Sequence, residues 1–384
     1  SAVTGRLLVD GNLVRGAVVI EDGRIVEVRI AGAGDAAALG ALPSPRLDAE
    51  IVSPGLVDLQ VNGAFGLEVG GDAASLRALA ARLPSTGVTT FLPAAVSAGP
   101  ADYRAVAAAF AAARDAAGAR MPGLHLEGPL LAPARAGAHR GDAIAAAAAT
   151  LDDVLDDLLA ARALRLVTLA PERPGALALI ARLRDAGVVV SIGHTDATFE
   201  QAVAALDAGA TLATHLYNAM SPLRHRAPGA VGAALADDRM TVMLIADGVH
   251  AHPAALNVAL RAKGPERVVL VTDAMAAAGA PPGRYALAGA EVISDGQAAR
   301  LGDGTLAGST LTMDRAVRMM AGLGGARLED ALAMASGVPA AAIGLADAGR
   351  IAVGRRADLA LWSAAMEVTA TLVGGAVAFR ADSQ

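Results

Sequence analysis

Between residues 56 and 272 the chain alternates short, near-continuously apolar runs with longer, Ala-rich stretches of helical length. The apolar runs are Leu56–Val61, Thr89–Leu92, Gly123–Leu126, Leu164–Leu169, Val188–Ile192, Thr211–Thr214, Val242–Ala246 and Val268–Thr272. The spacing between them predicts helices over Asp102–Ala117, Gly175–Ala186, Phe199–Ala208 and Pro253–Ala262, and a later one over Met313–Gly322. Continuous rather than alternating apolarity marks strands buried on both faces, as in a parallel sheet covered by helices. Eight such strands with helical crossovers predict a (β/α)8 barrel. A doubly wound open sheet is the alternative. It requires a Gly-rich dinucleotide loop after its first strand, and Asn62-Gly63-Ala64-Phe65-Gly66 lacks that spacing.

The two chain ends have a different texture. Short strands are predicted at Arg6–Val9, Ala17–Ile20 and Ile25–Ile30, with turns at Asp10-Gly11-Asn12 and Glu21-Asp22-Gly23. The C-terminal strands Asp358–Trp362, Glu367–Thr371 and Ala376–Phe379 include a hairpin turn at Gly374-Gly375. Together they predict a small β-sandwich domain from residues 1–52 and 350–384, with the barrel over 53–349. Residues Gly283–Leu306 read as a β-hairpin excursion after the eighth strand.

Composition narrows the function. The chain has 384 residues and no cysteine, which excludes a disulfide scaffold, a Cys-ligated zinc site, an iron–sulfur cluster and a Cys nucleophile. A net charge of −6 and 2% aromatic residues argue against nucleic acid and against a stacking platform. The longest apolar run, Ala143–Leu151, is about half of what a membrane span needs and reads as a helix of a soluble protein. Arg6, Asp10 and Arg15 stand where a signal-peptide core would be, so the expected location is the cytoplasm.

In a parallel barrel, function belongs where strands end and loops begin. The first strand ends in Asp58-Leu59-Gln60-Val61-Asn62 and the third in His125-Leu126-Glu127-Gly128-Pro129. The fifth ends in Gly193-His194-Thr195-Asp196 and the sixth in Thr214-His215-Leu216-Tyr217-Asn218. The seventh ends in Asp247-Gly248-Val249-His250 and the eighth in Thr272-Asp273-Ala274. Four of the seven histidines fall in these short segments, from which Glu, His, His and Asp on four different strands can converge on one metal at the barrel mouth. Neutral imidazoles and carboxylates suit Zn²⁺ or Fe²⁺. Other polar residues have competing readings. Thr195 and Asp196 either orient His194 or cap the helix starting at Phe199. His125 either backs the site or packs in a barrel layer, His225 and His252 read as surface residues, and Asp152, Asp153, Asp156 and Asp157 as a solvated helix face.

These segments resemble the N-acetylglucosamine-6-phosphate deacetylases of the amidohydrolase superfamily. The matching stretches are Pro54–Gly63, His125–Pro129, Gly193–Ala197, Thr214–Met220, Asp247–His250, Val271–Ala274 and Gly308–Met313, in family order. His-Leu-Glu-Gly-Pro and Thr-His-Leu-Tyr-Asn-Ala-Met are specific to this branch. The resemblance implies that Glu127, His194 and His215 are the three protein ligands of one divalent metal per subunit, most readily Zn²⁺. It implies that Asp273 is the catalytic acid/base. Substrate contacts carry over to Ala138, His139, Asn218, Ala219, His250, Leu306, Ala307 and Gly308. Arg226 corresponds to a phosphate-binding Arg that crosses a homodimer interface.

Many superfamily members carry His-x-His on the first strand for a second metal, and here that slot reads Gln60-Val61-Asn62. The two-metal types also use a carboxylated lysine on the fourth strand. The sole lysine, Lys263, lies on a predicted helix before strand eight. Gln60 and Asn62 are therefore a second-site remnant. The implied reaction is metal-dependent hydrolysis of the acetamido group of N-acetyl-D-glucosamine 6-phosphate to glucosamine 6-phosphate and acetate, in amino-sugar catabolism or cell-wall sugar recycling. The alternatives are another N-acyl substrate, such as N-acetylgalactosamine 6-phosphate, and a non-catalytic sugar-phosphate-binding barrel.

Overall fold

The computed structural model describes residues 1–31, 39–148 and 151–382. The chain opens with β1 (Ala2–Val9), β2 (Asn12–Glu21), β3 (Arg24–Ile30) and β4 (Arg46–Pro54), then enters the barrel with β5 (Leu56–Val61). A two-residue ribbon follows, β6 (Gly63–Ala64) and β7 (Leu67–Glu68), then α1 (Ala73–Arg82), β8 (Val88–Ala95) and α2 (Pro100–Ala113). The next units are β9 (Leu124–Glu127), α3 (Gly141–Ala148), α4 (Leu151–Ala160), β10 (Leu164–Leu169), α5 (Ala176–Asp185) and β11 (Val189–Ile192). After α6 (Phe199–Ala208) come β12 (Leu212–Ala213), α7 (Gly229–Ala236), β13 (Thr241–Leu244), α8 (Pro253–Lys263) and β14 (Val268–Leu270). The excursion contains β15 (Gly283–Leu287), β16 (Ala290–Ser294) and β17 (Ala299–Arg300), and α9 (Met313–Gly322), α10 (Leu328–Met334) and α11 (Gly337–Ala342) close the barrel. The last strands are β18 (Leu359–Trp362), β19 (Val368–Val373) and β20 (Ala376–Arg380).

The barrel strands pair in parallel in chain order from β5 and β8 to β14. The ring closes where Val61 bridges Ala274 and the Asn62 N–H donates to the Ala274 carbonyl at 2.8 Å. All eight predicted barrel strands are present, but three stop short of their apolar runs. Thr214, Ala246 and Thr272 lie beyond the last residues of β12, β13 and β14. Helix α7, Gly-Ala-Val-Gly-Ala-Ala-Leu-Ala, escaped the pattern because six of its eight residues are buried and no polar face marks its period. The Ala143–Leu151 run divides between α3 and α4, and residues 149 and 150 lie outside the described residues. The acidic helix face is solvated as expected: Asp152 and Asp156 pair with Arg182, and Asp157 with Arg104.

The β-sandwich expected from the chain ends takes the form of one seven-stranded sheet, ordered β20-β19-β18-β4-β1-β2-β3. Strand β4 was not predicted; it joins the two chain ends, parallel to β1 and antiparallel to β18. Period-two alternation splits its side chains between two cores. Leu7, Val52, Leu359 and Leu361 enter the sheet's own cluster, whereas Leu8, Ile51, Ala360 and Trp362 enter the barrel cluster. The Trp362 indole N–H donates to Ser53 Oγ at 2.9 Å, so this buried polar group is satisfied. The chain passes from sheet to barrel at Gly55, where a Cβ would stand 2.1 Å from Thr89 Oγ1, so no larger residue fits.

Candidate active site

Glu127 ends β9, and His194 and His215 stand just past β11 and β12 with φ of 46° and 32°. Asp273, beyond β14, has φ 49°. Left-handed conformations cost non-glycine residues on the order of 1–3 kcal/mol. Here they turn three polar side chains from the ladder into the mouth of the barrel.

The three donor atoms form a tight triangle. His215 Nε2 is 3.2 Å from Glu127 Oε1 and 3.1 Å from His194 Nε2, and His194 Nε2 is 3.3 Å from the same oxygen. Ligand bonds of ~2.0–2.1 Å in a tetrahedron place donor atoms about 3.3 Å apart, so the triangle fits one face of such a site. His194 donates its Nδ1–H to the Arg135 carbonyl at 2.8 Å, which leaves the Nε2 lone pair facing the triangle. Burial pushes the His194 pKa down to about 4, which keeps the ring neutral. Burial raises the Glu127 pKa, but the surrounding histidines pull it down further, and the carboxyl stays ionised. One carboxylate and two imidazoles could hold a divalent ion of the Zn²⁺ or Fe²⁺ type.

His139 also approaches, with Nε2 3.7 Å from Glu127 Oε2. Glu127, His139 and His194 can offer ligand atoms within 4.8 Å of one another. The hydrogen bonding separates their roles. His139 Nδ1 accepts the Ser97 N–H at 3.2 Å, so the neutral ring carries its proton on Nε2 and is a donor rather than a ligand.

Gln60 Nε2 donates to Glu127 Oε1 at 2.9 Å, and Asn62 Nδ2 donates to Asp273 Oδ1 at 2.7 Å. Both amides therefore hold carboxylates by their NH2 groups. Their oxygens, Gln60 Oε1 and Asn62 Oδ1, are buried with no hydrogen-bond partner. Burial, and next the charge on Glu127, raise the Asp273 pKa to about 6. Beneath the site His125 resolves into a barrel-layer residue. Its Nδ1 donates to the Leu59 carbonyl at 3.0 Å, and its Nε2 accepts from Thr168, which bonds to Thr214.

A cleft of about 390 Å³ opens over the triangle and is lined by Asp273, His139, Asn218, Ala219 and His250. Asn62, Ala138, Leu306 and Gly308 also reach it. Ala307 does not match the expectation. It is buried with Met275 and Leu287, and its N–H is taken by the Ala299 carbonyl at 3.0 Å. Arg226 is exposed on a separate surface cleft beside Asp196 and Thr198, away from this chain's own Asp273. Thr195 and Asp196 do not cap α6 and make no hydrogen bond to the His194 ring; Asp196 pairs with Arg135, whose carbonyl accepts the His194 Nδ1–H. The cap is Thr198, in a capping box with Gln201. His225 is exposed, and His252 caps α8 by accepting the Ala254 N–H.

Three residues were given no role by sequence reasoning. Glu172, just past β10, accepts the Thr195 hydroxyl at 2.5 Å and the Asp196 N–H at 2.6 Å, fixing the loop that carries His194. The strand-end rule, applied to the fourth strand, would have found it. Asp247 accepts His250 Nδ1–H at 2.7 Å and thereby aims Nε2; its spacing from His250 was the available signal. Arg300 lines the cleft from β17, and no local pattern marks it.

Comparison with known proteins agrees with this geometry. The model of the Amidohydrolase family matches residues 51–378. The N-acetylgalactosamine-6-phosphate deacetylase of Escherichia coli O157:H7 is 45% identical over 208 residues, 54% of this chain and 55% of that protein. The N-acetylglucosamine-6-phosphate deacetylase of Danio rerio is 37% identical over 352 residues, 87% of this chain and 86% of that protein. The chain spans about half the length of the first curated relatives it matches. Among solved structures, the N-acetyl-D-glucosamine-6-phosphate deacetylase of Mycobacterium smegmatis in complex with N-acetyl-D-glucosamine-6-phosphate has a TM-score of 0.89 and 38% identity, covering 98% of each chain. With a family model over most of its length and relatives of this identity along nearly all of it, the chain belongs to the amidohydrolase family, in the group of the N-acetylglucosamine-6-phosphate deacetylases.

Proposed function

We propose that the protein hydrolyses N-acetyl-D-glucosamine 6-phosphate to D-glucosamine 6-phosphate and acetate. The observation that carries this reading is the placement of the Glu127–His194–His215 triangle and Asp273 in one cleft with Asn218 and His250. Glu127, His194 and His215 would hold one divalent ion, with Zn²⁺ as the first candidate. When bound, such an ion would supply Lewis acidity and would lower the pKa of a water toward ~7.

The remaining work falls to the chain's own groups. Asp273, with Oδ1 held by Asn62, takes a proton from the attacking water. The water oxygen bonds to the acyl carbon, the C–N bond breaks, and Asp273 passes the proton to the departing nitrogen. A carboxyl near pH 6 is suited to both directions of transfer. The His139 Nε2–H donates to the developing oxyanion, where a positioned donor typically contributes ~10²–10³ in rate. Arg300 offers the phosphate a donor from the same chain, and His250, its ring fixed by Asp247, stands in the wall of the same cleft.

The exposed position of Arg226 supports a homodimer in which it reaches the partner's phosphate site. A cytoplasmic location belongs to the same proposal, because a sugar phosphate is charged and does not cross a membrane unaided. No helix among the described residues is long and apolar enough to span one. The test is acetate release from N-acetylglucosamine 6-phosphate and N-acetylgalactosamine 6-phosphate, with and without chelator. The E. coli O157:H7 relative makes the galactosamine epimer the second substrate to measure. Chelator-sensitive turnover of the glucosamine substrate is expected; no acetate from either, in metal-loaded protein, would overturn the reading.

A further inference from the structure

A second chamber, of about 660 Å³, abuts the cleft. The two share Asn62, Val96, Leu287 and Ala288 in their linings. They lie on different sides of the barrel mouth. Asn218 and His250, the sugar-phosphate side of the proposed reaction, follow β12 and β13. The chamber is built on the segments after β5 and β8, and β8 stands across the eight-stranded ring from β12. A substrate with its phosphate toward His250 and its amide nitrogen at Asp273 therefore directs its acyl carbons toward Asn62 and the chamber.

The chemistry of the walls indicates what the chamber takes. Its polar groups are engaged with each other or with backbone. Glu68 accepts the Ala288 N–H, the Tyr103 hydroxyl accepts the Ala98 N–H, and Arg140 pairs with Asp142. Small apolar residues, Ala94, Ala95, Ala98 and Ala105, line the chamber together with Glu68, Asp102, Arg140 and Asp142. Asn62 Oδ1 is a buried acceptor without a partner in this wall. It cannot turn away because its NH2 is held by Asp273. A buried acceptor left unpaired costs roughly 1–3 kcal/mol, so a donor belongs there.

We propose that this chamber is an acyl subsite, in which Asn62 Oδ1 receives the substrate's amide N–H. The protein then also deacylates amino-sugar phosphates bearing longer unbranched acyl chains, such as propionyl and butanoyl. This rests on the deacetylase reading and extends its substrate class. The bond changes are the same: a water oxygen bonds to the acyl carbon, the C–N bond breaks, and the amine leaves with the proton. The other product is the longer carboxylate.

The experiment compares kcat/KM for N-acetyl-, N-propionyl- and N-butanoyl-glucosamine 6-phosphate in metal-loaded protein. Values within about tenfold across the series are expected. A pocket moulded on acetyl rejects each added methylene by roughly 10–200-fold, and that result would overturn the proposal. Ala98→Phe and Ala105→Phe, on loop and exposed helix positions, should each cut butanoyl turnover at least tenfold and leave acetyl turnover within about twofold. Butanoyl turnover unchanged in both folded variants would also overturn it. Affinities of Asp273→Asn protein for the same series, by calorimetry, give a readout free of turnover, with up to about fourfold tightening per methylene expected. Absence of acetyl turnover with this tightening present would remove the deacetylase reading and leave the subsite. Acetyl turnover with propionyl and butanoyl rejected would do the reverse.

Discussion

At the residue scale the site assigns different jobs to chemically similar groups by their hydrogen bonds. His194 and His139 are both imidazoles beside Glu127. One donates Nδ1–H to a carbonyl and keeps Nε2 free, and the other accepts at Nδ1 and presents Nε2–H. His194→Ala should therefore lower metal content in elemental analysis. His139→Ala should keep the metal and lose on the order of 10²-fold in kcat. Equal metal loss in both variants would contradict the division. Asp273→Asn should lose roughly 10²–10⁴-fold in turnover, because the amide cannot accept the water's proton, while metal content stays at one ion per chain. Near-normal rates in a variant of verified identity would remove Asp273 from the mechanism. Two tightly bound ions in fully active protein would contradict the reading of Gln60 and Asn62 as carboxylate holders.

At the element scale the barrel is fastened at its seam by Asp58 on β5. Its carboxyl accepts the Gln60 N–H at 3.2 Å, the Thr272 N–H at 3.2 Å and the Thr272 hydroxyl at 2.6 Å. These bonds tie the strand that carries Gln60 and leads into Asn62 to the segment carrying Asp273. Burial raises the Asp58 pKa from 3.8 to about 7, outweighing the hydrogen bonds that lower it. A carboxyl whose folded value lies above its unfolded value stabilises the fold through its retained proton. That contribution is complete below pH 3.8 and is lost as the pH rises through about 7. The whole window corresponds to at most ~4 kcal/mol. Asp58→Asn, which resembles the protonated carboxyl, should flatten this part of the stability–pH curve in denaturant titrations of metal-free protein. An unchanged slope in the variant would show that Asp58 does not titrate there.

At the scale of the whole molecule, the terminal sheet and the barrel share strands' alternate faces, so neither chain end is a detachable appendage: Trp362 and Ile51 belong to the barrel core. Arg226 provides the test of assembly. In a dimer with composite sites, Arg226→Ala should weaken phosphorylated substrates by an amount matching the ~1.5–3 kcal/mol of a charged hydrogen bond. It should leave the slow turnover of unphosphorylated N-acetylglucosamine almost unchanged. Mixing Arg226→Ala with Asp273→Asn protein should restore activity, because subunit exchange pairs both intact residues at one of the two sites. Proven mixed dimers without rescue would place Arg226 outside the partner's site.

Much of this was legible along the chain because barrel strands are locally encoded. A run buried on both faces needs no distant partner to be seen, and the polar residues after it mark the mouth. The strand ends brought Glu127, His194, His215 and Asp273 forward among other polar residues, the family resemblance implied their roles, and the missing His-x-His was legible as Gln60-Val61-Asn62. Tertiary structure alone decided the rest. Proton placement on His139 and His194 depends on Ser97 and Arg135, neighbours that no local spacing reveals. The pairing of Gln60 with Glu127 and of Asn62 with Asp273 spans 67 and 211 residues. The loss of Ala307 from the cleft, the separation of Arg226 from it and the chamber behind Asn62 all arise from how segments distant in sequence pack. Periodicity reports which face a residue presents; which group meets it there is settled only when the barrel closes.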